Sequence, residues 1–222
     1  MLGLANIENT IIEGDSTEIL TRFPSESVDL IITDPVWPGA SVDLPGSDDP
    51  VGILCRTAKE FSRITKRVII HLGQKTDPRV LTCIPLDLPF VQVCWLKWVP
   101  CMYHGPILVS ADVAYVFGHK RLPGDGSRVL GAEHTNVWNP KKTEDARFDP
   151  DNNHPCPRSL DHVSWLVRRF SLPGDLILDP FCGSGTTCLA AKLAGRRYCG
   201  IDISGEYVKY ARQRLSKPDL FG

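Results

Sequence analysis

Two stretches of the chain combine residue types and spacings that chemistry can use. In "LIITDPVWPG" (residues 30–39) an acid, Asp34, directly follows an apolar run, and Pro35, Val36, Trp37 and Pro38 come behind it. An acid at the mouth of a buried strand can accept hydrogens from an incoming group. The proline after it fixes the turn and removes a backbone donor, and the indole offers a flat face for stacking. In "GDLILDPFCGSGTTCLAAKLAGRRYCGIDIS" (174–204) a strand ends in Asp179, a turn carries Gly183 and Gly185, a helix runs to Gly195, and a second strand ends in Asp202. Two glycines permit a tight turn with close backbone approach to a ligand. An acid about 20 residues further on can take both hydroxyls of a ribose.

The same segment narrows the ligand. A dinucleotide fingerprint asks for a third glycine where Cys188 stands, and "GSGTT" lacks the lysine with which a phosphate loop neutralises charge. A nucleoside without phosphates is expected. S-adenosyl-L-methionine meets these conditions: its ribose suits Asp202, its carboxylate the helix N-terminus, and its ammonium Asp179.

These residues need a scaffold, and the apolar pattern predicts an α/β one, because runs of strand length alternate with amphipathic stretches of helix length. Strands are expected at "NTIIEGD", "SVDLIIT", "KRVIIHLG", "FVQVCWLKWVP", "ADVAYVFG", "LILD" and "YCGID". Helices are expected at "STEILTRFP", over "VGILCRTAKEFSRIT" as one apolar face, at "SLDHVSWLVRRF" with Ser159 as N-cap, and at "TTCLAAKLAG". The Pro- and Gly-rich stretch 35–50 reads as a long loop, a common form for lids. "CMYHGPILVS" reads as a projecting connection, and 119–158 as the least regular part. Asp15, Asp34, Asp179 and Asp202 all fall at the carboxyl ends of predicted strands, where ligands of open α/β sheets bind.

A length of 222 residues suits one domain, and a formal charge of −1 neither recruits nor repels polyanions as a whole. No run reaches the length and apolarity of a membrane span, and the N-terminus has no secretory pattern, which predicts a soluble intracellular protein. The eight cysteines, at 55, 83, 94, 101, 156, 182, 188 and 199, include no C-x-x-C pair and read as scattered buried thiols. His71, His104 and His119 show no ligand spacing and are given no role.

"TDPVWP", "HPCP", "DPFCGSGTT" and "GIDIS" together resemble the motifs of the DNA amino-methyltransferases, which methylate exocyclic amines of adenine or cytosine. The order, catalytic motif first and cofactor loop last, resembles the circularly permuted beta-type arrangement. The resemblance spans nearly the whole chain and is weakest over 119–153. It implies a Rossmann-like S-adenosylmethionine-dependent methyltransferase fold in one domain, 1–222. That fold has a mostly parallel central sheet, an antiparallel strand pair and a small target-recognition insertion at about 119–153. The implied cofactor residues are Asp179, Phe181, Cys182, Gly183, Ser184, Gly185 and Thr186 in the loop, with Asp202 and Ile203 after the next strand. Asp15 would lie near the adenine, and His154, Pro155 and Pro157 would flank the methionine tail. The implied catalytic set is Asp34, Pro35 and Trp37, with no metal. Val36 replaces the family's usual second proline, and "HPCPRS" lacks the lysine of "HPTQKP"-like segments. A cytoplasmic protein, bacterial or phage-encoded, is implied.

The chemistry fits the residues. An exocyclic amine is a poor nucleophile because its lone pair is delocalised into the ring. Asp34 and the Pro35 carbonyl can each accept one amine hydrogen, leaving the lone pair aimed at the sulfonium methyl. A base inside duplex DNA must be flipped out, and Trp37 would replace its lost stacking partners. The Asp-first motif places adenine ahead of cytosine. An RNA adenine methyltransferase and a non-catalytic binding subunit stay open as alternatives; a protein-glutamine methyltransferase would carry Asn in place of Asp34. DNA contacts are expected from "HKRLPGDGSR", Lys141, Lys142, Arg147, Arg158, the 35–50 loop and "CMYHGP". Residues 119–158 hold seven Lys or Arg against six Asp or Glu, which suits a solvated surface equally well. The small recognition element points to a short target or a second subunit, and a homodimer is compatible with either.

Overall fold

The short β-rich runs pair into one sheet because each has two apolar faces to bury. The computed structural model describes residues 7–37, 44–73, 76–104, 107–118, 136–137, 154–155 and 157–217, and only the backbone of 98–104, 107–110 and 136–137. Its strands are β1 (Thr10–Glu13), β2 (Leu30–Thr33), β3 (Arg67–Leu72), β4 (Phe90–His104), β5 (Ile107–Gly118), β6 (Asn136–Val137), β7 (Leu176–Asp179) and β8 (Arg197–Asp202). They lie in the order β1-β8-β7-β2-β3-β5-β4-β6. From β1 to β3 all neighbours are parallel, whereas β5 runs antiparallel to both β3 and β4. This is the expected mostly parallel sheet with an antiparallel pair.

Side chains along the strands alternate between two cores, as the period of two requires. Leu30, Ile32, Ile69 and Ile177 face a core built with α4 (Leu160–Phe170), α5 (Thr186–Leu193) and α6 (Gly205–Ser216). Ile31, Val68, Ile70, Leu176 and Leu178 face the other, built with α1 (Ser16–Ile19), α2 (Pro50–Ala58) and α3 (Phe61–Ile64). Among the described residues no helix is long and apolar enough to cross a membrane.

The permuted order has a spatial consequence. The last segment of the chain, β7 to α6, enters between β1 and β2, so β7 and β2 are parallel neighbours with Leu30 opposite Ile177. From β2 the chain moves through α2 and α3 to β3; from β7 it moves through α5 to β8, on the other side. A sheet whose connections diverge in this way opens a crevice at the carboxyl ends of the two central strands. Asp34 follows β2, and Asp179 ends β7.

Several sequence expectations are corrected. The single helix expected over 51–65 is two, α2 and α3. The Thr57 hydroxyl donates to the Ile53 carbonyl at 2.8 Å, a back-bond that disturbs a helix, and α2 ends one residue later. "CMYHGPILVS" is largely strand: β4 and β5 run on as a hairpin, with Met102 opposite Val109 and His104 opposite Ile107. A 3-10 segment, Pro78–Cys83, was not anticipated; Asp77 starts it by accepting from the Arg79 N–H at 3.0 Å. Cys55 and Cys83, 28 residues apart, are paired in a disulfide, so the cysteines are not all scattered thiols. Cys94, Cys182, Cys188 and Cys199 are buried and free. Ser159 stands at the N-cap position of α4, but its side chain makes no capping hydrogen bond. The expected insertion at about 119–153 lies outside the described residues apart from β6, and so do Pro38, His119, Lys141, Lys142, Arg147 and Cys156.

Candidate active site

A cleft of about 260 Å³ opens at the carboxyl ends of β1, β2, β7 and β8. Its wall brings together Asp15, Asp34, Pro35, Trp37, His154, Phe181, Asp202 and Ile203 from the sequence-predicted set. Residues from four strand ends, far apart in the chain, thus share one wall.

On its β8 side the cleft is built around Asp202. Asp202 is held by two backbone donors: the Gly183 N–H reaches Oδ2 at 2.8 Å, and the Ser204 N–H reaches Oδ1 at 2.9 Å. Burial pushes its carboxyl above the usual range against those two hydrogen bonds. Phe181, Ile203 and Tyr207 supply apolar surface beside it. Asp15 caps α1, accepting from the Thr17 N–H at 2.7 Å, and so faces the cleft from a fixed position.

The residues of the glycine loop lie beside this wall rather than in it. Cys182, Gly183, Ser184, Gly185, Thr186 and Asp179 are not among the lining residues. Gly185 is required by packing: its φ is +79°, and a Cβ there would stand 2.9 Å from the Ala211 Cβ on α6. At Gly183, φ +47°, a Cβ would meet His154 Nε2 at 2.7 Å. Arg214, buried on α6, ties the loop by donating to the Ser184 carbonyl and to Thr186 Oγ1, each at 3.1 Å. Asp179 is enclosed, accepting from Thr33 Oγ1 at 2.8 Å and the Phe181 N–H at 3.1 Å, and burial pushes its carboxyl up to about 7. It braces the turn from below.

His154 packs against Tyr207 with ring centroids 4.7 Å apart. Burial, helped by the nearby Arg158 charge, lowers its imidazole to about 4, so it is neutral at pH 7. Pro155 is exposed, Pro157 is half-buried, and neither lines the cleft.

The β2 side holds a charged network that sequence reasoning missed. Arg158, expected on a phosphate-binding surface, is turned inward, with 13% of its side chain exposed. It makes a two-toothed ion pair with Asp34: Nε donates to Oδ2, and Nη2 donates to Oδ1 at 3.0 Å. Its third nitrogen, Nη1, donates to Asp112 Oδ2 at 3.1 Å. The buried His71 meets the same Asp112 oxygen at 3.3 Å through Nε2. The Arg158 guanidinium carbon lies 4.1 Å from the ring centre of Trp37. Trp37 is close-packed at Gly73, where a Cβ would fall 2.5 Å from the indole. Strand alternation explains the assembly, since His71 shares a strand face with Ile69, and Asp112 shares one with Ala114, both toward α4, whose start carries Arg158. Burial drives the Asp34 carboxyl upward, with the Arg158 and His71 charges opposing. At Asp112 burial is outweighed by the hydrogen bond and charge of His71 and by the Arg158 charge, leaving it below the ordinary range.

The fold is that of the S-adenosylmethionine-dependent methyltransferases. In sequence the chain is similar to the DNA amino-methyltransferases: residues 110–213 match the N6_N4_Mtase family, described as DNA methylase. DNA adenine methyltransferase YhdJ of Escherichia coli (strain K12) is 27% identical over 250 aligned positions, covering 95% of this chain and 83% of that protein. The crystal structure of the M1.HpyAVI–SAM complex superposes with a TM-score of 0.70 at 20% identity, covering 94% of this chain and 99% of the other. PvuII DNA methyltransferase (cytosine-N4-specific) superposes with a TM-score of 0.67 at 18% identity, covering 95% of this chain and 87% of the other.

Proposed function

We infer that this protein transfers the methyl group of S-adenosylmethionine to the exocyclic amine of adenine in duplex DNA, with the base turned out of the helix. The observation that carries this reading is one cleft lined by Asp34 and Pro35 together with Phe181, Asp202 and Ile203. The donor set fits the cofactor. Asp202 would offer its half-buried carboxylate to the ribose hydroxyls, Asp15 and Ile203 would flank the adenine, and the neutral His154 would stand beside the methionine tail. When bound, S-adenosylmethionine supplies an electrophilic methyl group on a sulfonium.

This chain's part is to make the amine nucleophilic. The Asp34 carboxylate and the Pro35 carbonyl accept hydrogen bonds from its two N–H groups, which localises the lone pair on nitrogen and stabilises the positive charge that grows there as the N–C bond forms and the methyl's bond to sulfur breaks; the methylated nitrogen then releases one proton to Asp34. Asp34 suits this task because burial raises its proton affinity, so it holds an amine hydrogen strongly. Trp37 covers a face of the base. Adenine is preferred to cytosine on the Asp-first motif.

The test is a competition in which purified protein receives labelled cofactor with unmethylated duplex DNA and structured RNA in the same tube. Label recovered in DNA as N6-methyladenine supports the reading. Label in RNA overturns the choice of nucleic acid, and N4-methylcytosine overturns the choice of base.

A further inference from the structure

We propose that Arg158 is a positioning residue that holds the place of the target base, and that a base reaches Asp34 by displacing the guanidinium onto Asp112. The proposal rests on the function inferred above, because it assigns the base to Asp34 and Trp37.

Arg158 engages the same two groups that the base would use. Its Nε–H and Nη2–H both point at the Asp34 carboxylate, where one of the amine's hydrogens would point, and its planar head lies 4.1 Å from the Trp37 ring centre. A guanidinium and an aminopurine edge share these properties: a flat π-surface and in-plane N–H donors. Both cannot occupy the space between Asp34 and Trp37 at once. The alternative seat already exists, since Nη1 is 3.1 Å from Asp112 Oδ2 and Asp112 is anchored by His71 on the neighbouring strand. Rotation toward Asp112 keeps the cation paired in a buried place, where an unpaired charge is heavily penalised. It frees the Asp34 oxygens and the indole together. With Arg158 in its observed place Asp34 is compensated, and only a ligand that itself brings N–H donors and a stacking face replaces what the carboxylate and the indole lose.

Two variants test this in opposite directions, with unmethylated duplex DNA of mixed sequence as acceptor. Arg158→Ala removes the competitor, so DNA should bind about 10-fold more tightly and KM for DNA should fall by a similar factor, with no rise in kcat. Asp112→Asn keeps the shape but weakens the second seat, so KM for DNA should rise severalfold while cofactor affinity stays unchanged. An arginine that grips phosphate would give weaker DNA binding on removal, and a merely structural one would leave KM unmoved; either result overturns the proposal. If Arg158→Ala does not fold, Asp112→Asn decides alone: an unchanged or lower KM overturns the proposal. Wild-type protein that methylates DNA while the variants fail these expectations leaves the functional reading standing. Wild-type protein that methylates no DNA overturns both.

Discussion

Arg158 and Asp34, 124 residues apart in the chain, meet in a two-toothed ion pair at the carboxyl end of β2, with Nη2 3.0 Å from Oδ1. The pair joins the Asp34 side of the cleft to the start of α4. It sets what each nearby substitution should do.

Asp34→Asn preserves size and loses the charge that draws hydrogens from the amine. Methyl transfer should fall by at least about 100-fold, the usual scale for removing a transition-state hydrogen-bonding group. Cofactor affinity by isothermal titration should stay within a few-fold of wild type, because Asp202 ends β8, which β7 separates from β2 and Asp34. Equal loss of cofactor binding would contradict this division of labour.

Asp202→Asn should weaken S-adenosylmethionine binding by roughly 10- to 100-fold, the worth of charged hydrogen bonds to a diol. The substitution also replaces one of the acceptors that hold Gly183 and Ser204, so the loop should exchange its amide protons faster. Titration and hydrogen exchange on the same sample check both parts.

Trp37→Ala should raise KM for DNA by roughly 5- to 150-fold, in line with about 1–3 kcal/mol per stacked base, and leave cofactor affinity alone. Trp37→Phe should recover most of the loss. A cofactor affinity that fell with the indole would place Trp37 in the cofactor site instead.

Two buried groups give opposite pH dependences of stability. His154, lowered to about 4, binds fewer protons folded than unfolded, so its contribution is lost as pH falls from about 6.5 toward 4. Asp179, raised to about 7, binds more protons folded, so its contribution is present below about 4 and lost as pH rises through 7. Urea midpoints of His154→Gln should therefore lack the acid-side loss, and those of Asp179→Asn should improve on wild type increasingly toward pH 8. Parallel curves for all three proteins would refute these assignments.

The sheet was legible because short continuous apolar runs such as "LIIT" and "LILD" announce strands buried on both faces, and because an acid closes each central strand. Asp34, Asp202 and Asp15 were legible for the same reason: a strand's carboxyl end is a local feature. The glycines of "CGSG" were recognised as a turn, but their tightest demand comes from Ala211 and His154, whose approach depends on how α6 and residue 154 pack. His71 and Asp112 were passed over because nothing in their neighbourhoods marks them; the β3–β5 pairing brings them together. Arg158 was misplaced to the surface because charge counts along a segment do not tell which guanidinium turns inward. The Cys55–Cys83 pairing was invisible for a similar reason, since a disulfide across 28 residues leaves no local motif.

The most direct measurement is transfer of labelled methyl from S-adenosylmethionine to unmethylated duplex DNA, wild type beside Asp34→Asn, followed by digestion and identification of the labelled nucleoside. The account predicts N6-methyladenine from the wild type and background from Asp34→Asn. Label absent from DNA while the cofactor binds, or equal label from the two proteins, would contradict it.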